Sequence, residues 1–493
     1  MATQHPDHSS KPYWHDQPFI STQHEAKEAF LTFSELGATE YKWDWEGKLV
    51  DESVVERLFG EFYEYFAKAP LGIDSFLTFR LPNPRIDTEF RMGRAFMNMA
   101  SAASISKHFG FNIPPFFEVI LPLTETPEEM LALQEAYVQI HLLRHPLYKL
   151  DGQLTNLRVI PLFEEINTII HSDKILKKYL SLYQKKFKKR PPYMRPYVAR
   201  SDPALNSGLI PTVLAIKLAF SHYKDLATKT GIPMYPIIGC GSLVFRGGLN
   251  PARVKDFARE YSGVRTVTLQ SAFRYDYPLK EVQSAIAYLE KSLPLSEAQS
   301  ITKQEEKKLL QLIASSETDY KSVIEDIAPI INQVASFIPK RRERFLHVGL
   351  FGYSRGEGGI KLPRAISFAC ALYSIGVPPE FIGTGQAIKK AIEANQLELL
   401  EKFYLNLKQD LKEAGRFINK ANLKYLAKNS PAWQQVWESV AEIESYLKEK
   451  LGPLSADDKK HTQLTSRILK SLNDGQSISR LIEQSALLRK SMG

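Results

Sequence analysis

The sequence predicts an α/β fold, mostly helical: an elaborated (β/α)8 barrel with large helical insertions. Three observations lead there. Short, β-rich, continuously apolar segments end in turns that hold Pro, Gly or Asp, as buried parallel strands do. Helical patterns lie between them, and alternating strand and helix is the pattern of an α/β chain. Polar residues able to do chemistry cluster just after the strands, where a barrel of this kind opens its active site.

Residues 1–22 read as a polar, loosely ordered arm, and residues 23–493 as one continuous domain around the barrel. The expected strands lie in SFLTFRLPNP (75–84), FFEVILPLTET (116–126), LRVIPLFE (157–164), MYPIIGCG (234–241), RTVTLQSA (265–272) and FLHVGLFGYSRG (345–356). Helical periodicity covers 127–143 and 205–227, then most of 279–336 and 386–450. A break at LGPLSADDKKH (451–461) precedes a last helix.

The chain has 493 residues, 44% of them hydrophobic and 24% charged, which sets aside fibrous and disordered classes. With only Cys240 and Cys370 there is no disulfide framework, which fits a reducing, cytoplasmic setting. The N-terminus lacks a charged-then-apolar signal pattern. No stretch reaches the roughly 18 apolar residues of a spanning helix, so no membrane is expected. The net charge of +9 raises the question of nucleic acid. Its densest part, KILKKYLSLYQKKFKKR (174–190), sets Ile175, Leu176, Tyr179, Leu180, Tyr183 and Phe187 against the basic face. That is an amphipathic surface helix, and no nucleic-acid partner is expected.

Candidate chemistry sits at the strand ends. Arg246 lies with Gly247 and Gly248 in GCGSLVFRGGLNP (239–251). Glycine lets backbone approach a ligand closely, and the guanidinium fork suits phosphate and carboxylate, so this loop reads as an anion seat. Glu164 follows the apolar strand in PLFEE, and Asp202 opens a helix in RSDPALNSG. Taken singly, Glu164 could be a salt-bridge partner and Asp202 a helix N-cap. Taken together, two carboxylates with water and substrate oxygens are a common way to hold Mg²⁺ or Mn²⁺. Arg355 stands among Gly352, Gly356, Gly358 and Gly359, and Arg364 precedes an apolar helical run. Arg80 ends another strand, while Arg85, Arg91 and Arg94 read as structural charges. A metal and several arginines at one mouth match a multiply charged substrate and catalysis by electrostatic stabilisation.

Other chemistries find no support. The sequence has no GxxxxGK[ST], no GxGxxG opening a helix after a first strand and no CxxC. His141 and His145 are four apart with no third ligand in view, and Cys240 reads as a packing residue.

The motifs PLFE, RSDPALNSG, FRGGLNP, SRGEGGIKLPRAI and PPEFIGTG, in that order, resemble the phosphoenolpyruvate carboxylase family in its short, archaeal-type form. The resemblance runs from about residue 70 to the C-terminus. It implies a mostly helical TIM barrel, a homotetramer, and Mg²⁺ or Mn²⁺. It also implies that phosphoenolpyruvate and bicarbonate become oxaloacetate and phosphate through carboxyphosphate and the pyruvate enolate. By the same resemblance Glu164 and Asp202 match metal ligands, and Arg246 matches the arginine that holds intermediates. Arg355 and Arg364 match phosphate- and carboxylate-binding residues, Gln270 a glutamine at a later strand end, and Gly493 a terminal glycine near the active site. The longer forms carry a mobile histidine in Thr-Ala-His-Pro. Here the comparable place reads LTFRLPNP, with Arg80 as the candidate group for carboxyphosphate breakdown. Cys240 stands where the longer forms have an arginine. The alternative is another Mg²⁺-dependent barrel lyase acting on a keto acid or phosphoenolpyruvate.

Overall fold

The structure, a computed structural model, describes residues 1–46, 49–85, 90–142, 157–343 and 361–493. Eight strands follow one another in the sheet in chain order: β1 (Ala2–Thr3), β2 (Glu40–Asp44), β3 (Phe76–Arg80), β4 (Glu118–Leu121), β5 (Arg158–Phe163), β6 (Tyr197–Ala199), β7 (Ile237–Gly239) and β8 (Thr266–Val267). Every neighbouring pair is parallel. The two edges of the sheet meet. Ala2 bridges Leu269, Thr3 N–H donates to the Leu269 carbonyl at 3.1 Å, and Leu269 N–H donates to the Met1 carbonyl at 2.8 Å. The fold is thus a mostly helical α/β one whose curled parallel sheet is consistent with a TIM-like barrel.

Alternation along the strands sorts inside from outside. Ile120, Ile160, Leu162, Tyr197, Ala199 and Ile237 form a small inner cluster, while Val119, Val159, Phe163, Val198 and Ile238 join the main core beneath the helices.

Five of the six expected strand segments hold β3, β4, β5, β7 and β8; the sixth, 345–356, lies outside the described residues. The other three strands have no continuous apolar run. β2 reads EYKWD: Tyr41 and Trp43 face the main core, and Glu40, Lys42 and Asp44 alternate with them. β1 and β6 are two and three residues long, too short for a periodicity.

The reading of residues 1–22 as a loosely ordered arm needs correction. Ala2 and Thr3 form β1, and Asp7, His8 and Ser9 are buried. The Ser9 and Ser10 amides donate to the Asp276 carboxylate at 2.7 and 2.6 Å. His8 Nδ1 lies 2.8 Å from Ser271 Oγ. Asp7 and His8 are polar yet hydrogen-bonded inside the protein, a state that composition alone cannot tell from hydration.

Most helices beyond β8 lie where their periodicity indicated, within 279–336 and 386–450 and after the break that follows. Among the described residues each strand-to-strand connection carries one or two α-helices, and the largest helical mass follows β8, from the 33-residue helix Lys303–Ala335 to Ser479–Arg489. The 205–227 segment is divided between Ser201–Ser207 and Leu209–Thr230 at Gly208, whose φ is 91°. A Cβ there would meet the Tyr320 ring at 3.0 Å, so the close approach and the left-handed backbone both call for glycine. In Ser172–Phe187, Leu176, Tyr179 and Leu180 are buried, and Lys178 and Lys186 pair with Glu128 and Glu135 of Pro127–His141 at 2.6 and 2.9 Å. That is a packed surface helix, as its pattern indicated.

Glu28 ties the N-terminal region to the sheet and to the chain beyond Lys303–Ala335. Its buried carboxylate accepts from Arg342 Nη2 at 2.6 Å, Arg274 Nη2 at 3.0 Å, Tyr41 Oη at 2.9 Å and Tyr275 Oη at 2.6 Å. Removing it leaves Arg274 buried without a carboxylate partner. Glu28→Ala is therefore expected to cost about 3–5 kcal/mol, read as a lower urea midpoint with an unchanged m-value.

Candidate active site

A cavity of about 470 Å³ opens at the C-terminal ends of the strands. Seven of the eight strands bring a polar residue to it: His5 after β1, Lys42 in β2 with Glu46 just beyond, Arg80 at the end of β3, Glu164 after β5, Asp202 after β6, Arg246 after β7 and Gln270 after β8. The C-terminal helical region supplies the opposite wall, with Arg341, Arg342, Arg364 and Met492. Parallel strands all end on one face, so residues far apart in sequence converge here.

The loop after β7 is built around Arg246. Gly241 N–H donates to the Arg246 carbonyl at 2.7 Å, and Leu249 N–H donates to the Gly241 carbonyl at 3.0 Å. A Cβ on Gly241 would meet Arg246 Nη1 at 2.7 Å. Gly247 has φ 120°, and a Cβ there would meet the Cys240 Cβ at 2.6 Å. Gly247 and Gly248 do not line the cavity; they let the backbone turn tightly enough to aim Arg246 into it.

Arg246 is 1% exposed. Nη1 donates to Asp7 Oδ2 at 3.1 Å and to a Gly493 backbone oxygen at 2.5 Å, Nη2 donates to Gln270 Oε1, and Nε is buried without a partner among the described residues. Met492 N–H donates to the Asp7 carbonyl at 2.7 Å. Asp7 thus joins the N-terminal segment, the glycine-rich loop and the C-terminal tail. Burial pushes the Cys240 thiol up to about 12, leaving it protonated and inert, a packing residue as its setting in sequence indicated.

Arg80 has all three nitrogens engaged. Nε and Nη2 donate to the two Asp44 oxygens at 2.8 and 2.6 Å, and Nη1 lies 2.7 Å from Glu46 Oε2. Although burial opposes the charge, the Asp44 and Glu46 carboxylates raise the guanidinium pKa well above its usual value. Arg80 is a fixed cation and gives up no proton. A histidine does reach the cavity, from a place the sequence reading passed over. The tetrapeptide Thr3-Gln4-His5-Pro6 has the Thr-x-His-Pro spacing that LTFRLPNP at β3 lacks. His5 Nδ1 lies 2.9 Å from Thr3 Oγ1. Burial, together with the Lys42 and Arg80 charges, holds the imidazole well below its usual pKa and so neutral at pH 7. The spacing was present in the sequence, but assigning residues 1–22 to a loose arm hid it.

Glu164 is buried and Asp202 partly so, and both line the cavity. Among the described residues no three His, Cys, Asp or Glu side chains converge as a metal cage. Two hard carboxylates from neighbouring strands suit Mg²⁺ or Mn²⁺, which keep waters and take further oxygens from substrate. The donor set fits such an ion. Arg364 precedes the helix Ala365–Ser374 and lines the cavity, with Nη1 buried and without a partner among the described residues. Arg355 and its glycines lie outside the described residues, as does His145. Arg85 pairs with Glu125 at 2.7 Å, Arg94 with Glu52, and Arg91 donates to the Trp45 carbonyl. None of these three lines the cavity.

Comparison with known proteins agrees with this geometry. The sequence profile of the family described as phosphoenolpyruvate carboxylase matches residues 1–493. A protein of that name from Leuconostoc mesenteroides subsp. mesenteroides is 38% identical over 498 residues, covering 100% of this chain and 98% of its own length. One from the archaeon Metallosphaera sedula is 37% identical over 513 residues, covering 100% of this chain and 99% of its own. One from Pyrococcus abyssi is 38% identical over 463 residues, covering 90% and 95%. A full-length profile match and identities well above the level at which only a fold is shared lead to one conclusion: the chain belongs to the phosphoenolpyruvate carboxylase family.

Proposed function

We infer that the cavity at the strand ends is where this chain joins phosphoenolpyruvate and bicarbonate to give oxaloacetate and phosphate. The observation that carries this reading is Arg364, whose Nη1 is buried without a partner among the described residues, standing with Glu164 and Asp202 around one cavity. An unpaired buried donor is costly unless an anion completes it.

Glu164 and Asp202 would hold Mg²⁺ or Mn²⁺, which when bound offsets negative charge on phosphoryl and enolate oxygens. Arg364, with Arg355, binds the phosphate and carboxylate of phosphoenolpyruvate. Bicarbonate oxygen attacks phosphorus and the phosphorus–enol oxygen bond breaks, leaving carboxyphosphate and the pyruvate enolate. The carbon–oxygen bond to phosphate then breaks, releasing CO₂ and phosphate as the carboxyl proton leaves. His5, neutral and in the cavity, is the base placed to take that proton. Arg80 is the neighbouring fixed charge. The enolate carbon finally attacks CO₂. Arg246, with Gln270, is the donor pair that holds the enolate oxygen, and its burial keeps water away. Gly247 and Gly248 shape that loop, and Gly493 orients Arg246 through its backbone oxygen.

The same reading treats residues 23–493, together with the N-terminal segment that brings His5 and Asp7, as one catalytic unit, an elaborated (β/α)8 barrel whose C-terminal tail reaches the site. It places a homotetramer in the cytoplasm. Among the described residues no single helix is long and apolar enough to cross a membrane.

The test is phosphate release measured beside oxaloacetate in a malate-dehydrogenase-coupled assay. Both products are expected in equal amounts and only when phosphoenolpyruvate, bicarbonate and Mg²⁺ are all present. Phosphate release that needs no bicarbonate would favour a different lyase chemistry.

A further inference from the structure

β2 carries a charged side chain that the steps above do not use. Lys42 is fully buried on the strand face shared with Glu40 and Asp44, and it lines the cavity. Its Nζ has no hydrogen-bond partner among the described residues. The two carboxylates that follow on the chain, Asp44 and Glu46, both serve Arg80. A buried ammonium with nothing to donate to is unfavourable, and such a group is either neutral or awaits an anion. Burial and the neighbouring Arg80 charge bring its pKa down to about 7, so an anion arriving beside Nζ would restore the charge.

The reaction takes two anions. Phosphoenolpyruvate has two charged ends and suits planar guanidinium forks such as that of Arg364. Bicarbonate is small and singly charged, and a compact ammonium with three donors on a stem fixed by a strand suits it better. Lys42 on β2 stands between β1, which delivers His5, and β3, which ends in Arg80. Glu164 and Asp202 lie at the β5 and β6 ends, and the Glu164 charge reaches Lys42 across the cavity.

We propose that Lys42 Nζ anchors bicarbonate and, after phosphoryl transfer, the carboxyl end of carboxyphosphate, on the β1–β3 side of the cavity. This rests on the carboxylation reading above.

The experiment is steady-state kinetics with each substrate varied at saturating levels of the other. Lys42→Met is expected to raise the bicarbonate KM about 10- to 100-fold, the loss of one charge-assisted hydrogen bond. The phosphoenolpyruvate KM should stay within about twofold. Lys42→Arg, which keeps the charge, should recover part of the bicarbonate affinity. An active Lys42→Met enzyme with an unchanged bicarbonate KM, or with both KM values raised together, would overturn the assignment. If Lys42→Met is too weak to assay, Lys42→Arg decides. Weakened bicarbonate saturation, with thermal protection by Mg²⁺–phosphoenolpyruvate intact, supports the anchor; loss of that protection as well overturns it. Failure of the unaltered protein to release phosphate with bicarbonate would instead sink the carboxylation reading.

Discussion

Arg246→Ala is expected to form oxaloacetate at about a hundredth to a thousandth of the normal rate, the usual cost of losing a donor aimed at developing negative charge. Phosphate release should fall less, because in the proposed steps the phosphoryl group moves before Arg246 is needed. The enolate left behind takes a proton and leaves as pyruvate. The measurement is therefore a partition: oxaloacetate through malate dehydrogenase against pyruvate through lactate dehydrogenase, in the same reaction. The substitution also strands the Asp7 carboxylate, which Arg246 meets at 3.1 Å. Arg246→Ala,Asp7→Asn removes that buried charge and should restore stability without restoring oxaloacetate. Normal carboxylation by either variant would remove Arg246 from the mechanism.

Glu164→Gln and Asp202→Asn should each raise the Mg²⁺ or Mn²⁺ concentration for half-maximal activity by at least ~100-fold and lower kcat at saturating metal, as loss of a charged ligand does. Chelation of the unaltered enzyme should abolish activity, with recovery on adding either ion. Asp202 has a competing structural role, since it lies in the first turn of Ser201–Ser207, where a negative charge favours the helix. If that were its whole contribution, Asp202→Asn would lower stability by about 0.3–1 kcal/mol and leave the metal dependence unchanged. A metal titration beside a urea titration separates the two. Glu164 follows β5 directly and heads no such turn.

The strands that were legible share one property. β3, β4, β5, β7 and β8 lie in apolar runs that end in breakers, and an apolar run announces burial wherever the chain goes afterwards. β2 escaped because the inner face of this sheet is partly charged: Glu40 meets Arg195 at 2.7 Å and Asp44 meets Arg80 at 2.6 Å. In sequence those residues look like a solvated surface. The same confusion hid the N-terminal segment, whose His8 and Asp7 are bonded inside the protein.

The candidate site divides along the same line. Glu164, Asp202, Arg246, Gln270 and Arg364 could be named from motif and position, and all five line the cavity. The state of each charge could not. That Arg80 is fully paired, that Arg364 and Lys42 each have a buried nitrogen without a partner among the described residues, and that Arg246 rests on Asp7 depend on contacts across the fold.

By itself the sequence determined the order of strands and helices in the apolar segments, the family, and the residue types at the strand ends, because these rest on local periodicity, turn chemistry and short motifs. Only the tertiary structure decided that residues 2 and 3 begin the sheet, that His5 stands in the cavity, and which cations remain open to an anion. The physical reason is that a polar side chain's charge state and availability are set by the partner it meets, and here the partner often lies hundreds of residues away.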